Sequence, residues 1–121
     1  MDENIKRKIL EYIKSNGSVS YAELEYLFEK IGYNYQGSLL TCSDMDRNVI
    51  FWGGWNENAI ALIGEMISEN SIKRQPCDFI IYLIDGKTMN FPLVKKYKKY
   101  KSMHWLPCVF NVVRSNSKGK V

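Results

Sequence analysis

The stretch Lys95–Lys101 reads KKYKKYK and combines five lysines with two tyrosines. Lysine ammonium groups neutralise phosphates, and tyrosine rings offer faces on which the bases of a single strand stack. In an extended segment the side chains would alternate between two faces, with Lys95, Tyr97, Lys99 and Lys101 on one and Lys96, Lys98 and Tyr100 on the other. The pattern indicates a nucleic-acid-binding segment. The alternative is a solvated basic loop whose tyrosines anchor it to the core.

The charge of the chain is divided between its two halves. Residues 1–70 hold six basic and 11 acidic residues, net −5, whereas residues 71–121 hold 11 basic and two acidic residues, net +9. An asymmetry of this size predicts a polyanion-facing surface built from the C-terminal half. Three basic residues on neighbouring segments could extend the patch, namely Lys73, Arg74 and Lys87.

Residue types suited to catalysis or metal binding are sparse. The single histidine, His104, has no cysteine or carboxylate at the spacing of a triad or a metal cluster, and beside Trp105 it is typical of a structural residue. Asp44, Asp46 and Asn48 imitate the start of a calcium loop, but its sixth position is a valine and its twelfth a tryptophan. We therefore expect a protein that is not an enzyme and that uses no metal and no cofactor.

Two helices are predicted at the start of the chain. Apolar residues recur at helical spacing over residues 5–13, and Gly17 is suited to end this first helix. Ser20 followed by Glu23 is the capping-box pattern, which places the start of a second helix at Ser20. Apolar residues at helical spacing continue this helix to Ile31.

A change of periodicity after Gly37 predicts a β-hairpin. Two short β-type runs flank a turn-rich segment, so we predict a hairpin over about residues 38–52. The alternation of the second run does not decide whether Trp52 is covered.

Asn56 can cap a third helix that follows the hairpin. Trp55 then occupies the position before the cap and Ile60 the fourth helical position, which is the spacing of a hydrophobic staple. We therefore expect Trp55 to be buried, and Gly53 and Gly54 to form the corner between strand and helix.

A wing-like hairpin is predicted beyond the third helix. The apolar run Phe79–Ile84 has the length of a strand, and Asp85 with Gly86 is a hairpin turn signal. The order of elements resembles the winged helix-turn-helix family over about residues 5–84, with a hairpin inserted between the second and third helices. The resemblance implies an α/β (α+β) fold with a C-terminal β extension.

The remaining segment lies outside the usual winged-helix core. The stretches NVIFWGGWNENA and HWLPCVF resemble small proteins of Gram-positive phages, pathogenicity islands and cassettes. Some winged-helix members of such elements are encoded beside replication helicases. The resemblance implies a replication-associated DNA-binding protein, with a replication helicase or other replication protein as a possible partner.

The charge of the third helix bears on the kind of nucleic acid. Residues 56–70 contain no lysine or arginine and present Glu57, Glu65 and Glu69. Phosphates would repel such a helix in the major groove, so single-stranded DNA or RNA is favoured. Two alternatives stay open: a duplex-DNA-binding transcriptional regulator, and a protein-interaction module that inhibits a host enzyme through the acidic N-terminal half.

Length and composition predict one domain over residues 1–113 and a flexible basic tail over residues 114–121. No apolar run approaches the roughly 18 residues of a membrane span, and the first residues do not resemble a signal peptide. Three scattered cysteines are typical of reduced thiols. We expect a cytoplasmic protein without a membrane partner.

Overall fold

The computed structural model describes residues 3–96 and 98–113. Within these residues the fold is α+β, with four helices and two three-stranded sheets. The elements in chain order are α1 (Glu3–Asn16), β1 (Val19–Ser20), α2 (Tyr21–Ile31), β2 (Gln36–Cys42), β3 (Val49–Trp55), α3 (Glu57–Ser68), β4 (Ile72–Pro76), α4 (Ile80–Asp85), β5 (His104–Trp105) and β6 (Cys108–Val112). The predicted tail over residues 114–121 and the predicted stacking residue Tyr97 lie outside the described residues.

The first sheet brings together strands that are distant in sequence. Its order is β1-β6-β4, and both pairings are antiparallel. Val19 lies opposite Phe110, and Ile72 lies opposite Val112. The segment expected to be a C-terminal extension therefore supplies the central strand of this sheet.

The second sheet is built on the predicted hairpin, which the structure confirms with slightly longer strands. β2 and β3 pair antiparallel, and β5 adds to β3 in parallel. Gly53 and Gly54 lie within β3, so the corner falls after them, at Asn56. Gly54 has a φ of +85°, which a residue with a side chain rarely adopts, and a Cβ on Gly53 would lie 2.6 Å from Leu40 Cδ2.

Both predicted helix caps are present. The Ser20 side chain accepts a hydrogen bond from the Glu23 amide, and the Glu23 carboxylate accepts one from the Ser20 amide. The Asn56 side chain accepts a hydrogen bond from the Ala59 amide at the start of α3. These bonds satisfy amide groups that have no partner inside the helix, which fixes where each helix begins.

The predicted strand over residues 79–84 is wrong, because this segment forms α4. Gly86 ends the helix in the left-handed conformation rather than turning a hairpin. An apolar run without alternation suits a strand and a buried helical turn equally well. Tertiary contacts decide in favour of the helix: the Tyr82 hydroxyl, fully buried, donates to the Cys108 carbonyl at 2.5 Å and accepts from the Tyr21 amide at 3.0 Å.

An aromatic cluster occupies the core between the helices and the two sheets. Its fully buried members are Tyr21, Phe28, Trp55, Tyr82, Trp105 and Phe110. Edge-to-face contacts join them, such as Tyr21 with Phe110 at 4.8 Å between ring centroids. The structure thus confirms the burial of Trp55 and also buries Trp52, which is 5% exposed.

Candidate nucleic-acid interface

The lysine-rich segment folds around the hydroxyl of Tyr100. The amides of Lys95 and Lys96 both donate to this oxygen at 3.0 Å, and the hydroxyl donates to the Lys96 carbonyl at 2.9 Å. The described residues of the segment therefore close into a loop, and the extended geometry in which its side chains would alternate is not formed. Local hydrogen bonds to a side chain compete with the extended backbone here.

Tyr100 also fastens this loop to the hairpin. Its amide donates to Asp46 Oδ2 at 2.9 Å, and its carbonyl accepts from Asn48 Nδ2 at 2.7 Å. The backbone donors of Tyr100 and Asn48, with the positive charge of Lys99, lower the pKa of the Asp46 carboxyl. The Tyr100 ring lies 4.0 Å from that of His104. Of the two tyrosines in the segment, Tyr100 is thus an anchor.

A cleft separates the loop from the hairpin sheet. Its volume is about 330 Å³. Its lining is mainly apolar, with Val49 and Phe51 from β3, and Val94 and Leu106 from the flanking segments. Three lysines of the loop border the cleft, Lys96, Lys98 and Lys99. The rest of the lining is Ser43, Met45, Asp46 and Tyr100.

The cations of the loop form no ion pair among the described residues, although the charge of Lys99 acts on Asp46 from a longer distance. No carboxylate of residues 3–96 or 98–113 lies within 4.0 Å of the ammonium groups of Lys95, Lys96, Lys98, Lys99 or Lys101. All five residues are exposed. Phosphates can therefore approach these ammonium groups without displacing an ion pair.

A second groove adjoins the cleft and carries two more predicted site residues. Lys73 and Arg74 of β4 line it, and it shares Phe51 and Leu106 with the cleft. The Arg74 guanidinium lies 3.9 Å from the centroid of the Phe51 ring and donates to the Tyr21 hydroxyl at 3.1 Å. Lys73 and Arg74 therefore line a depression that adjoins the cleft of the lysine loop.

Lys87 occupies a different environment from the other predicted site residues. Its ammonium group lies 2.7 Å from Glu25 Oε1 and 4.6 Å from the centroid of the Tyr26 ring. Burial lowers the pKa of Lys87, but the hydrogen bond and the charge of Glu25 outweigh it, so the pKa is raised. Lys87 lines neither the cleft nor the groove and acts within an ion pair instead.

Glu25 is a structural centre that the sequence reasoning missed. Its Oε2 accepts hydrogen bonds from the indole groups of Trp52 and Trp55, both at 2.8 Å, while Oε1 binds Lys87. Glu25 is 7% exposed. Its position in the sequence could have indicated its burial. Glu25 lies four residues after Tyr21 and three before Phe28, which places it on the apolar face of α2.

The acidic side of α3 is engaged by α1. The Lys6 ammonium group lies 3.1 Å from Glu65 Oε1 and 2.9 Å from Glu69 Oε2. The hydrogen bonds to Glu69 and Glu65 raise the pKa of Lys6. The two carboxylates are still about half exposed, so this face of α3 remains acidic towards solvent.

Neither a family model, nor a curated protein, nor a solved structure matches the chain. Across residues 3–96 and 98–113, no helix combines the length and apolar character that a membrane crossing requires. In the same part of the chain, no group of three or more histidine, cysteine or acidic side chains is placed to hold a metal ion.

Proposed function

We propose that this protein is a non-enzymatic binder of single-stranded nucleic acid, most simply single-stranded DNA. The strand follows the lysine loop and the adjoining groove of Lys73 and Arg74. The observation that carries the proposal is a set of cations with no carboxylate of the described residues within 4.0 Å, which line two depressions that share Phe51 and Leu106. Such a surface combines phosphate neutralisation with apolar faces for bases.

The charge of α3 argues for a single strand over a duplex. A helix that enters the major groove lies between two phosphate backbones. Glu65 and Glu69 would meet those phosphates, because both carboxylates stay about half exposed even though Lys6 pairs with them. The cations lie on β4 and the lysine loop instead, where a flexible strand can reach them.

We further propose that the first sheet and its helices form a winged-helix unit. α1, β1, α2, α3, β4 and β6 follow the order of that family, with β4 and β6 as the strands of the wing. The β2–β3 hairpin and residues 77–107 are then two insertions. In this view the protein is a replication accessory of a mobile genetic element, and a replication helicase is its candidate protein partner.

The proposal is tested by salt-dependent binding to a fluorescent oligonucleotide. The variant Lys96→Ala/Lys98→Ala/Lys99→Ala should bind single-stranded DNA more weakly, and the salt slope should fall by about 2, at about 0.7 for each phosphate that is no longer neutralised. A matched control is Lys8→Ala/Lys14→Ala/Lys30→Ala, which removes the same charge from α1 and α2. Equal effects of the two variants would contradict the proposed site.

Duplex DNA and single-stranded RNA of the same length and sequence complete this experiment. Tighter binding to the duplex would favour the alternative of a transcriptional regulator. Equal binding to RNA and DNA would extend the ligand class to both single strands.

A second candidate function, protein binding, is favoured by the surface of α4. Ile80, Leu83 and Ile84 are more than half exposed on this short helix, and Phe79 before it is 38% exposed. Exposed apolar clusters of this kind occur at protein interfaces. A stable protein partner whose capture is abolished by Leu83→Ser/Ile84→Ser, together with no binding to any nucleic acid, would support an interaction module instead.

A further inference from the structure

The structure assigns a second task to the cleft under the lysine loop: we propose that it takes one base of the bound strand, turned out of the stack. This inference rests on the proposed function and adds a base-binding site to it. The proposed ligand is a nucleotide unit of the strand, with its base in the cleft and its flanking phosphates at the rim.

The chemistry of the lining fits a ligand with a flat apolar body and a charged edge. Val49, Phe51, Val94 and Leu106 give the cleft much of its apolar surface, while Lys96, Lys98 and Lys99 border it. The Asp46 carboxylate also lines the cleft, where it accepts hydrogen bonds from the amides of Asn48 and Tyr100. A phosphate alone would gain nothing from the apolar wall, and an apolar molecule alone would leave three ammonium groups unused. A nucleotide satisfies both parts, because any base offers an apolar face beside its anionic backbone.

The wall of the cleft is held in place before any ligand arrives. The Tyr100 hydroxyl accepts hydrogen bonds from the amides of Lys95 and Lys96, and the Asp46 carboxylate accepts one from the Tyr100 amide. Phe51 is held from the other groove by the Arg74 guanidinium at 3.9 Å. A site fixed in this way loses little conformational entropy when it binds, which favours base insertion over simple backbone contact.

The neighbouring groove gives the strand a continuous path. Because Phe51 and Leu106 line both depressions, a strand whose base enters the cleft can continue past them to Arg74 and Lys73. The inserted base sets the position of the strand, and the cations on both sides hold its phosphates.

The test compares an eight-nucleotide oligothymidylate with an eight-residue abasic strand that has the same phosphates. We expect the unmodified protein to bind the abasic strand about tenfold or more weakly, which is the effect of losing one well-packed base. The salt slopes of the two strands should be the same, because their phosphate contacts are the same. The mononucleotide dTMP should bind far more weakly than either strand.

A cleft-filling variant provides the second measurement. Val94→Phe should fill the cleft, so that the variant binds the thymidine-containing and the abasic strand with the same affinity. The salt slope should stay unchanged. Ile31→Phe, at a half-buried site on α2, is the matched control and should keep the difference. Thermal melting reports whether Val94→Phe is folded, and the abasic comparison on the unmodified protein decides the question if it is not.

The failure of this inference and that of the proposed function are distinguishable. Equal affinity for the two strands, with binding that still depends on Lys96, Lys98 and Lys99, would overturn base insertion and leave the strand-binding function standing. Binding of dTMP as tight as that of the oligonucleotide would overturn it as well, in favour of a mononucleotide site. Absence of binding to both strands would overturn the proposed function itself.

Discussion

Glu25 is the residue on which most of the core polar bonding converges. A carboxylate that is 7% exposed would be costly by itself, but two indole groups and one ammonium group surround it. Trp52 and Trp55, which could have formed an aromatic platform for a ligand, are instead held inward by this carboxylate. The residue therefore explains why the FWGGW sequence belongs to the core.

Removing the carboxylate should be strongly destabilising. Glu25→Ala leaves the two buried indole donors without an acceptor and reduces the ion pairing of Lys87 to Glu29 at 4.0 Å, so we expect the free energy of unfolding to fall by about 3 kcal/mol or more. Urea denaturation followed by tryptophan fluorescence measures the change. Glu11→Ala on the exposed face of α1 is the control and should stay within about 0.5 kcal/mol. A loss as small as that of the control would show that the Glu25 network contributes little.

Tyr21 makes stability sensitive to alkaline pH. Burial raises the pKa of Tyr21 to about 12, although the charge and hydrogen bond of Arg74 lower it in part. The unfolded chain releases this proton near pH 10 while the folded protein keeps it. The contribution of Tyr21 to the free energy of unfolding should therefore be constant up to about pH 9 and fall between pH 10 and 12, by at most about 1.4 kcal/mol per pH unit. The thiols of Cys77 and Cys108, whose pKa values burial also raises, add to this fall at alkaline pH.

The variant Tyr21→Phe isolates this contribution. It removes the titrating hydroxyl, so the fall in unfolding free energy between pH 10 and 12 should be shallower than in the parent. Denaturant titrations at pH 7, 9, 10 and 11 measure both curves. Parallel curves would mean that other groups cause the whole alkaline effect.

At the scale of elements, the features that depend on nearby residues were predictable. The caps of α2 and α3 involve partners three residues apart, so the sequence pattern contains both members. The hairpin was similarly local. That Lys73 and Arg74 extend the basic patch stays a prediction, and their groove adjoins the cleft of the lysine loop.

Features that depend on distant partners were not predictable in the same way. β6 pairs with β1 and β4, from which it is separated by long stretches of chain. No pattern in the sequence of β6 predicts which strands it pairs with. Residues 79–84 form a helix because Tyr82 bonds to Tyr21 and Cys108. The Lys87–Glu25 pair and the closure of the lysine loop around Tyr100 likewise depend on contacts that no local pattern encodes.

Ser20 should be the most sensitive helix cap. Its hydroxyl accepts from the Glu23 amide at 3.0 Å and donates to Asp85 Oδ2 at 2.7 Å, and the residue is fully buried. Ser20→Ala loses both bonds, so the free energy of unfolding should fall by about 2 kcal/mol, the upper end for a cap. Thermal or urea denaturation measures this change. Ser38→Ala, exposed on β2, is the control, and a loss no larger than that of the control would contradict the capping argument.

At the scale of the whole molecule, seven of the lysines represent three environments. Lys96, Lys98 and Lys99 border the cleft without a carboxylate partner among the described residues. Lys8 and Lys30 border a shallow depression between α1 and α2 that shares no residue with the cleft. Lys6 and Lys87 are held in ion pairs. Of these three sets, a nucleic-acid strand bound along the proposed path would cover only the amines of Lys96, Lys98 and Lys99.

Lysine acetylation with and without single-stranded DNA should separate these environments in one experiment. We expect DNA to reduce acetylation at Lys96, Lys98 and Lys99 several-fold, because phosphates cover these amines and favour their charged form. Lys8 and Lys30, and Lys14 on the same side of the chain's charge division, should react equally in both samples. Lys87 should react slowly in both because Glu25 raises its pKa. Mass spectrometry of the digested protein measures each site.

Salt provides the internal control for this footprint. At high ionic strength the strand dissociates, since its binding depends on phosphate contacts, and the protection at Lys96, Lys98 and Lys99 should disappear. Equal protection of Lys14, Lys30 and the loop lysines would mean that DNA binds the protein by non-specific electrostatic attraction and has no defined site. Protection confined to the loop and to Lys73 would place the strand along the path that Phe51 and Leu106 connect.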